Sequence, residues 1–302
     1  MIEILKGTNI DFMGKKKYAV IISGVVFLLG LFAIVQIIFG KANLGVDFAG
    51  GTSIQIRFTK PVELSEVRAA FIEGGFKDFD LQDLPAENKI LVRFKKEGDH
   101  LNSLPDRVSM ILSQKMPDKN PAIDAVTEIG PKISARLKKD ALWAILMATL
   151  GLLIYVGWRF QFRFGIGAIV ATLHDVFAVV GIFYILNKEI NLIFLSAVLT
   201  IAGYSLTDTV VVFDRIRENI KKHIKDPIDM IINRSVNEVL SRTIITSLTT
   251  LFAALALFIF GGEVIHDFAF AIMIGIAVGT YSSVFVASPV VALLGPLTKK
   301  KS

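Results

Sequence analysis

A carboxylate and a guanidinium stand out in this chain because each lies inside or at the head of a long apolar run. Asp208 falls in the run 192–213, preceded by Ser196, Thr200 and Tyr204 at intervals of four residues, with Gly203 and Thr207 beside them. Intervals of four put side chains on one helical face. Arg242 heads the run 243–260 and is followed by Thr246 and Thr250 at the same interval, joined by Thr249. Two consecutive spans run antiparallel, so these polar faces can meet. Asp208 stands six residues before Asp214, roughly 9 Å inside that charged boundary at helical rise. Arg242 can reach the same level with its long side chain. A carboxylate and a guanidinium buried together stabilise each other's charged forms, and a proton taken up by the acid releases the base. That chemistry suits proton uptake and release. Two plainer readings fit the same pattern: a static bridge, and an Arg242 that snorkels to the surface.

His174 and Asp175 form a second ionisable site, in the run 164–186, on a face lined by Gly167, Ala171, Ala178 and Gly181. A lone dyad of this kind is either a proton relay or a helix-to-helix hydrogen bond. Thr207 and Thr246 are open to the same two readings. Ala271, Gly275, Gly279 and Ser283 repeat every four residues in the last run, a small-residue stripe of the kind that packs helices closely. A metal site is not supported, because one His with scattered carboxylates lacks a ligand motif such as H-E-x-x-H. There are no cysteines, which excludes disulfides, thiolate metal sites and cysteine nucleophiles.

The elements that carry these groups are membrane spans. The chain has 302 residues, 53% of them apolar and 20% charged, and a mean hydropathy of +0.60. Soluble domains run nearer a quarter charged. The apolar residues cluster in six runs, at 18–39, 141–158, 164–186, 192–213, 243–260 and 268–294. A bilayer core about 30 Å thick needs about 20 such residues per helix. Pro289 is expected to end or kink the last run. The first run exceeds a secretory signal's apolar stretch, and Gly40-Lys41-Ala42-Asn43 lacks a small-residue cleavage pattern, so it reads as an uncleaved span.

Basic residues in short loops orient the bundle. Lys15, Lys16 and Lys17 precede the first span, and Arg159 and Arg163 separate the second and third. Arg215, Arg217, Lys221, Lys222, Lys225 and Arg234 separate the fourth and fifth, and Lys299 to Lys301 close the chain. The alternate connections carry only Lys188 on one side and no Lys or Arg over Gly261–Asp267. The basic face is the cytoplasmic one, which places residues 1–17 and both termini inside. Topology thus accounts for the net charge of +6 without a nucleic-acid partner. Residues 214–240 are expected to lie along that face as an amphipathic helix or helix pair, with Ile216, Ile220 and Ile224 on one side and a break at Asp226-Pro227.

Residues 40–138 must then lie outside. Thr52–Thr59 alternates as a half-buried strand does, with Ile54, Ile56 and Phe58 on one side. Glu63–Gly74 reads as a helix, with Val67, Ala70 and Phe71 at helical spacing. Asp78–Leu84 and Lys89–Lys95 read as strands joined by the turn-rich Pro85-Ala86-Glu87-Asn88. Asp99–Met116 reads as a second helix, with Leu101, Leu104, Val108 and Leu112 on its apolar side, and Ile123–Ile129 as a last strand. The order β-α-β-β-α-β is that of the ferredoxin-like fold. The expected architecture is a mainly α membrane protein, a six-helix bundle with an extracytoplasmic ferredoxin-like α+β domain between spans 1 and 2.

Several stretches carry a family resemblance. Gly45-Val-Asp-Phe-Ala-Gly-Gly-Thr52, with Gly45, Asp47, Gly50 and Gly51 as its fixed points, resembles the glycine signature of the SecD/SecF protein-export family, within the resistance-nodulation-division superfamily. Tyr204 to Asn219 looks like that family's long fourth-span signature. Leu240 to Leu251 with Leu257 to Gly262 resembles its fifth, and Leu173-His-Asp-Val176 its third. The resemblance covers nearly the whole chain. Thr207 stands where Asn is usual and Ala49 where Thr is usual, and neither departure removes an ionisable group. The six-span length fits one member of the pair rather than a fusion of both.

The resemblance implies a subunit that acts with SecD and the SecYEG channel, with YajC as a further partner. It implies work on an exported, unfolded polypeptide in the cytoplasmic (inner) membrane, in contact with membrane lipid. The driving force would be the proton gradient, with no cofactor and no enzymatic reaction. It places Asp208 and Arg242 in the proton-conducting site, facing an aspartate on the equivalent SecD span, and leaves His174 and Asp175 open. The same layout also resembles half of a small-molecule or lipid pump, but such pumps carry larger outer domains with a substrate cleft. An aspartyl intramembrane protease would need a G-x-G-D motif, which Tyr204-Ser-Leu-Thr-Asp208 lacks.

Overall fold

The computed structural model describes residues 8–76, 79–84, 88–94, 104–159 and 162–294. The turn expected at Pro85–Glu87, the start of the second helix (Asp99 and Leu101 included) and the basic tail Lys299–Lys301 lie outside these residues. The chain divides into two units, one of residues 44–142 and the other of the flanking stretches.

The smaller unit opens with a single helical turn, α2 (Val46–Ala49), which runs into strand β1 (Gly51–Arg57). Helix α3 (Leu64–Glu73), strands β2 (Phe79–Leu84) and β3 (Lys89–Phe94), helix α4 (Leu104–Lys115) and strand β4 (Ala122–Ile129) follow. The sheet order is β2-β3-β1-β4, antiparallel throughout, as the split β-α-β arrangement requires. Ile54 and Ile56 alternate inward from β1, and Val92 faces the core from β3. They meet Val67 and Phe71 of α3 and Val108 and Leu112 of α4 in one core. The edge strand β4 is largely exposed along its length.

Gly50 and Gly51 make the entry to β1 possible. Gly50 has φ 74° and ψ 166°, a region essentially restricted to glycine. A Cβ there would also stand 3.2 Å from Ser134 Oγ. The Gly45 carbonyl accepts from the amides of Phe48 and Ala49, at 3.0 and 2.8 Å, and so starts α2.

Six helices are long and apolar enough to cross a membrane, all of them in the larger unit except the first part of the second, which belongs to the smaller. They are α1 (Lys16–Ile38), α5 (Pro131–Arg159), α6 (Phe162–Ile185), α7 (Leu192–Lys222), α8 (Ile228–Phe260) and a last one in three pieces. Those pieces are α9 (Gly262–Ser282), a π turn (Ser283–Ala287) and α10 (Ser288–Leu293). About half of α6, α7 and the last helix is buried, whereas α1, α5 and α8 are mostly exposed. The first three are therefore the inner helices. The small-residue stripe serves their packing: a Cβ on Gly275 would strike the Ile201 side chain, and one on Gly279 would approach Ser205 Cβ to 3.3 Å.

Two expectations need refinement. Residues 214–240 are helical on either side of the expected break at Asp226-Pro227, but they continue the neighbouring spans rather than forming a segment of their own. Helix α7 continues to Lys222 and α8 begins at Ile228, with the break at Pro227, so the stretch is the two ends of a helical hairpin. Ile216 is fully buried in the main core and Ile224 is exposed, because both helices continue past the apolar runs and keep packing. Of the two outcomes expected at Pro289, the helix does not end there; its regular turn is interrupted just before the proline. It sits in the first turn of α10, immediately after the π turn. The wider i→i+5 turn absorbs the extra residue just where the proline nitrogen has no hydrogen to donate.

Candidate functional site

The row Ser196, Thr200, Tyr204, Asp208 does not stay on one side of α7. At 3.6 residues per turn, each step of four residues advances the row by about 40°. The row therefore slants from the surface into the bundle: Ser196 and Thr200 are exposed, Tyr204 is half-buried and Asp208 is buried. Asp208 Oδ2 has no hydrogen-bond partner, and neither do the buried Tyr204 hydroxyl, Thr209 Oγ1 or Thr243 Oγ1. Arg242 on α8 is exposed. It makes no ion pair with Asp208 and acts on it through space alone. The expected contact pair is thus held apart: no static bridge joins the two, and Arg242 is exposed, as a guanidinium that snorkels to the surface would be.

Around the pair runs an exposed polar stripe. Ser196, Thr200, Gly203 and Thr207 of α7 lie on it, as do Arg242, Thr246 and Thr249 of α8. Four of its hydroxyls bond back to their own helices: Ser196 to Leu192 O (2.9 Å), Thr200 to Ser196 O (2.8 Å), Thr207 to Gly203 O (3.2 Å) and Thr249 to Thr246 O (2.9 Å). Their donors are satisfied without a neighbour, so the stripe is stable while it remains polar on a face of otherwise apolar helices.

His174 and Asp175 stand elsewhere, at the centre of the three inner helices. Asp175 is fully buried and His174 nearly so. His174 Nδ1 lies 3.0 Å from Asp175 Oδ1. Asp175 Oδ2 accepts hydrogen bonds from Ser205 Oγ of α7 and, at 2.7 Å, from Ser282 Oγ of α9. Sequence reasoning missed both serines. Each is a single small polar residue in an apolar run, and only the buried acid opposite them marks them out.

Ion pairs sort the connections to the two ends of the bundle. Lys16 meets Asp229 at 2.8 Å, Arg159 meets Asp214 at 2.6 Å, and Arg215 meets Glu238 at 2.6 Å. The start of α1, the end of α5 and the α7–α8 turn therefore share one end. At the other, Lys188 pairs with Asp267 at 2.6 Å. Among the described residues no group of three His, Cys, Asp or Glu side chains could hold a metal ion.

Six apolar helices, a small antiparallel sheet domain and ionisable groups buried within the spans define a multi-pass membrane protein with internal charge chemistry. Comparison with known proteins gives its lineage. The family model for the C-terminal part of the protein export membrane proteins SecD/SecF matches residues 110–296, and the SecD/SecF GG motif matches residues 38–62. A protein translocase subunit SecF from Thermodesulfovibrio yellowstonii is 63% identical over 98% of this chain and 98% of its own length. Another, from Calditerrivibrio nitroreducens, is 44% identical over 99% of each. The crystal structure of SecDF from Thermus thermophilus, a translocon-associated membrane protein, is 37% identical with a TM-score of 0.83. It matches 95% of this chain, which spans 39% of that longer one. The chain belongs to the SecD/SecF family of protein-export membrane proteins. Within that family it is a translocase subunit of the SecF type.

Proposed function

We propose that this subunit couples the proton gradient to late steps of polypeptide export, with Asp208 as the group that gains and loses the proton and Arg242 as the charge that answers it. The observation that carries the reading is a buried carboxylate with an unpartnered oxygen, opposed at a distance by a guanidinium, both at the edge of a polar stripe inside membrane spans. Ionisable groups in such places are costly and are retained for function. A proton falling through the membrane field supplies about 2.3 kcal/mol per 100 mV. Protonation removes the charge that Arg242 feels, which biases a bundle with two arrangements.

The polar stripe supports a docking place for SecD, because a second set of spans bearing its own carboxylate would cover these hydroxyls and close the proton site. The SecYEG channel and YajC complete the assembly, and the cargo is an unfolded polypeptide. The subunit is a coupling device and not an enzyme, and protons are its only cofactor. The end of the bundle rich in Lys and Arg faces the cytoplasm, by the rule that basic loops stay inside, and the domain of residues 40–138 faces outward.

The test is Asp208→Asn, which is nearly isosteric and fixed in the neutral form. Export of a polypeptide through the assembled translocase is measured with the gradient intact and then collapsed by an uncoupler. The variant should fold and bind SecD yet export at the uncoupled rate under both conditions. A well-folded Asp208→Asn subunit that still responds to the gradient overturns the reading.

A further inference from the structure

We propose that Asp175 is a positioning residue for the proton-coupled step, holding Asp208 in place by way of Ser205. The proposal rests on the reading of Asp208 given above.

The geometry is a knot with one strand from each inner helix. Asp175 belongs to α6, Ser205 to α7 and Ser282 to α9, and all three are fully buried. One carboxylate oxygen takes both hydroxyls, and the other faces His174 Nδ1. Ser205 precedes Asp208 by three residues on a continuous helix, about 4.5 Å along the axis. A helix this short of interruption moves as a rod, so whatever slides or turns Ser205 carries Asp208 with it.

The third strand gives the knot its mechanical sense. Ser282 is the last residue of α9, and the π turn begins at the next residue. It is the only π turn among the described residues. A π turn holds one residue more than an α turn, and such turns recur at functional sites. The Ser282 bond fixes the helix at the point where its register changes. Gly279, one turn earlier, brings α9 close to Ser205, so α7 and α9 pack closely beside the carboxylate, as they do one turn further back at Gly275 and Ile201. The other titratable or charged groups in this part of the bundle are His174 from α6, Tyr204 and Asp208 from α7, Arg242 from α8 and Tyr281 from α9. The rings of Tyr281 and His174 lie 6.1 Å apart. The Tyr281 hydroxyl donates to Ala19 O of α1 at 3.1 Å and lies 3.0 Å from Ser23 Oγ.

A carboxylate that only stapled helices would serve equally well anywhere along them. This one touches α7 a single turn from Asp208, and touches the last helix at its register change. Both serines can be tested singly, because either variant leaves the carboxylate one hydroxyl and His174. Ser205→Ala and Ser282→Ala are assembled with SecD and the channel in membrane vesicles. Polypeptide export is then followed against pH with and without the gradient, per folded subunit, beside Asp208→Asn. Misplacing a reacting group by a fraction of an ångström to 1 Å costs up to about a hundredfold. Both serine variants should therefore lose about tenfold or more of gradient-driven export, shift the pH of its half-maximum, and keep the gradient-independent rate. An unchanged pH profile, with losses that only follow the amount of folded protein, overturns the proposal and leaves a packing staple. If Asp208→Asn is inert to the gradient while both serine variants behave as wild type, the positioning role alone falls. If Asp208→Asn responds normally to the gradient, the proton reading and this proposal fall together.

Discussion

Asn233 on α8 grips Asp11 and the two residues after it. Its Nδ2 donates to Asp11 Oδ1 at 2.8 Å, and its Oδ1 accepts from the backbone amides of Phe12 and Met13 at 3.0 and 2.9 Å. One turn on, Asn237 makes a two-way bond with the backbone of Ile10, at 2.9 Å each way. The segment before α1 is thereby bound to the helix that carries Arg242, and Phe12 and Met13 enter the main core.

Asn233→Ala leaves the Phe12 and Met13 amides without their acceptor, while Asp11 keeps only the bond from the Gly14 amide at 2.8 Å. The expected loss is about 1–3 kcal/mol in stability. Hydrogen exchange at Phe12 and Met13, followed in the intact subunit in detergent, should rise well before exchange in α6 or α7. Exchange that rises equally everywhere would show that the grip is not local.

Arg242 should tolerate no substitute. Lysine keeps the charge but is a compact, strongly hydrated ammonium without the planar fork. Because Arg242 acts on Asp208 across a gap, the position of the charge matters as much as its sign. Arg242→Lys should therefore lose most gradient-driven export, and Arg242→Leu all of it, while both variants still bind SecD. Full activity in the lysine variant would reduce the role of Arg242 to net charge.

Acid should loosen the sheet domain through Asp124. A hydrogen bond from Lys89, with the Arg57 charge beside it, holds this carboxyl below its ordinary value of 3.8. The ion-pair distances are 3.0 Å to Lys89 and 3.1 Å to Arg57. A group whose folded value is depressed adds stability above its unfolded value and loses it as pH falls through the folded one. The contribution is thus intact at pH 5 and fades below about pH 4. Asp124→Asn should lower stability at neutral pH and flatten the acid limb in this window, as read by exchange protection of β1 and β4.

Gly50→Ala places a side chain where φ is 74° and Ser134 Oγ is 3.2 Å away. Strain of that kind costs about 1–3 kcal/mol. Exchange protection at the start of β1 should fall, with α6 and α7 unchanged. Gly40→Ala is the comparison, since its φ of 67° comes with open space around it, so a larger loss at Gly50 reads the Ser134 contact together with its extended ψ of 166°.

Much of this molecule is legible in its residues. Six apolar runs become six long helices, and alternation at Ile54 and Ile56 beside helical spacing at Val67, Ala70 and Phe71 becomes the four-stranded domain. The reasons for the misses are specific. Ile216, Ile220 and Ile224 would pattern identically on a surface helix and on the end of a buried hairpin. An interval of four residues looks like a straight face in sequence but winds around α7, so Ser196 and Asp208 end on different sides. A π turn leaves no trace in periodicity beyond Pro289. Ser205 and Ser282 matter only because a third helix brings Asp175 between them, and such three-way meetings are a property of tertiary packing.

The polar stripe along α7 and α8 has a consequence for the life of the subunit. Made alone, the chain presents Ser196, Thr200, Thr207, Thr246, Thr249 and Arg242 on its outer surface, against hydrocarbon that offers them nothing. An unassembled copy is in this sense visibly unfinished, and a membrane protease that samples spans for exposed polarity has a mark to read. Surplus copies would then be removed, and pairing with SecD would conceal the mark. In a pulse–chase experiment the subunit should decay faster when SecD is depleted, and changing Thr200, Thr207 and Thr246 together to valine should lengthen the life of the orphan. Equal half-lives with and without SecD would show that the stripe is not read.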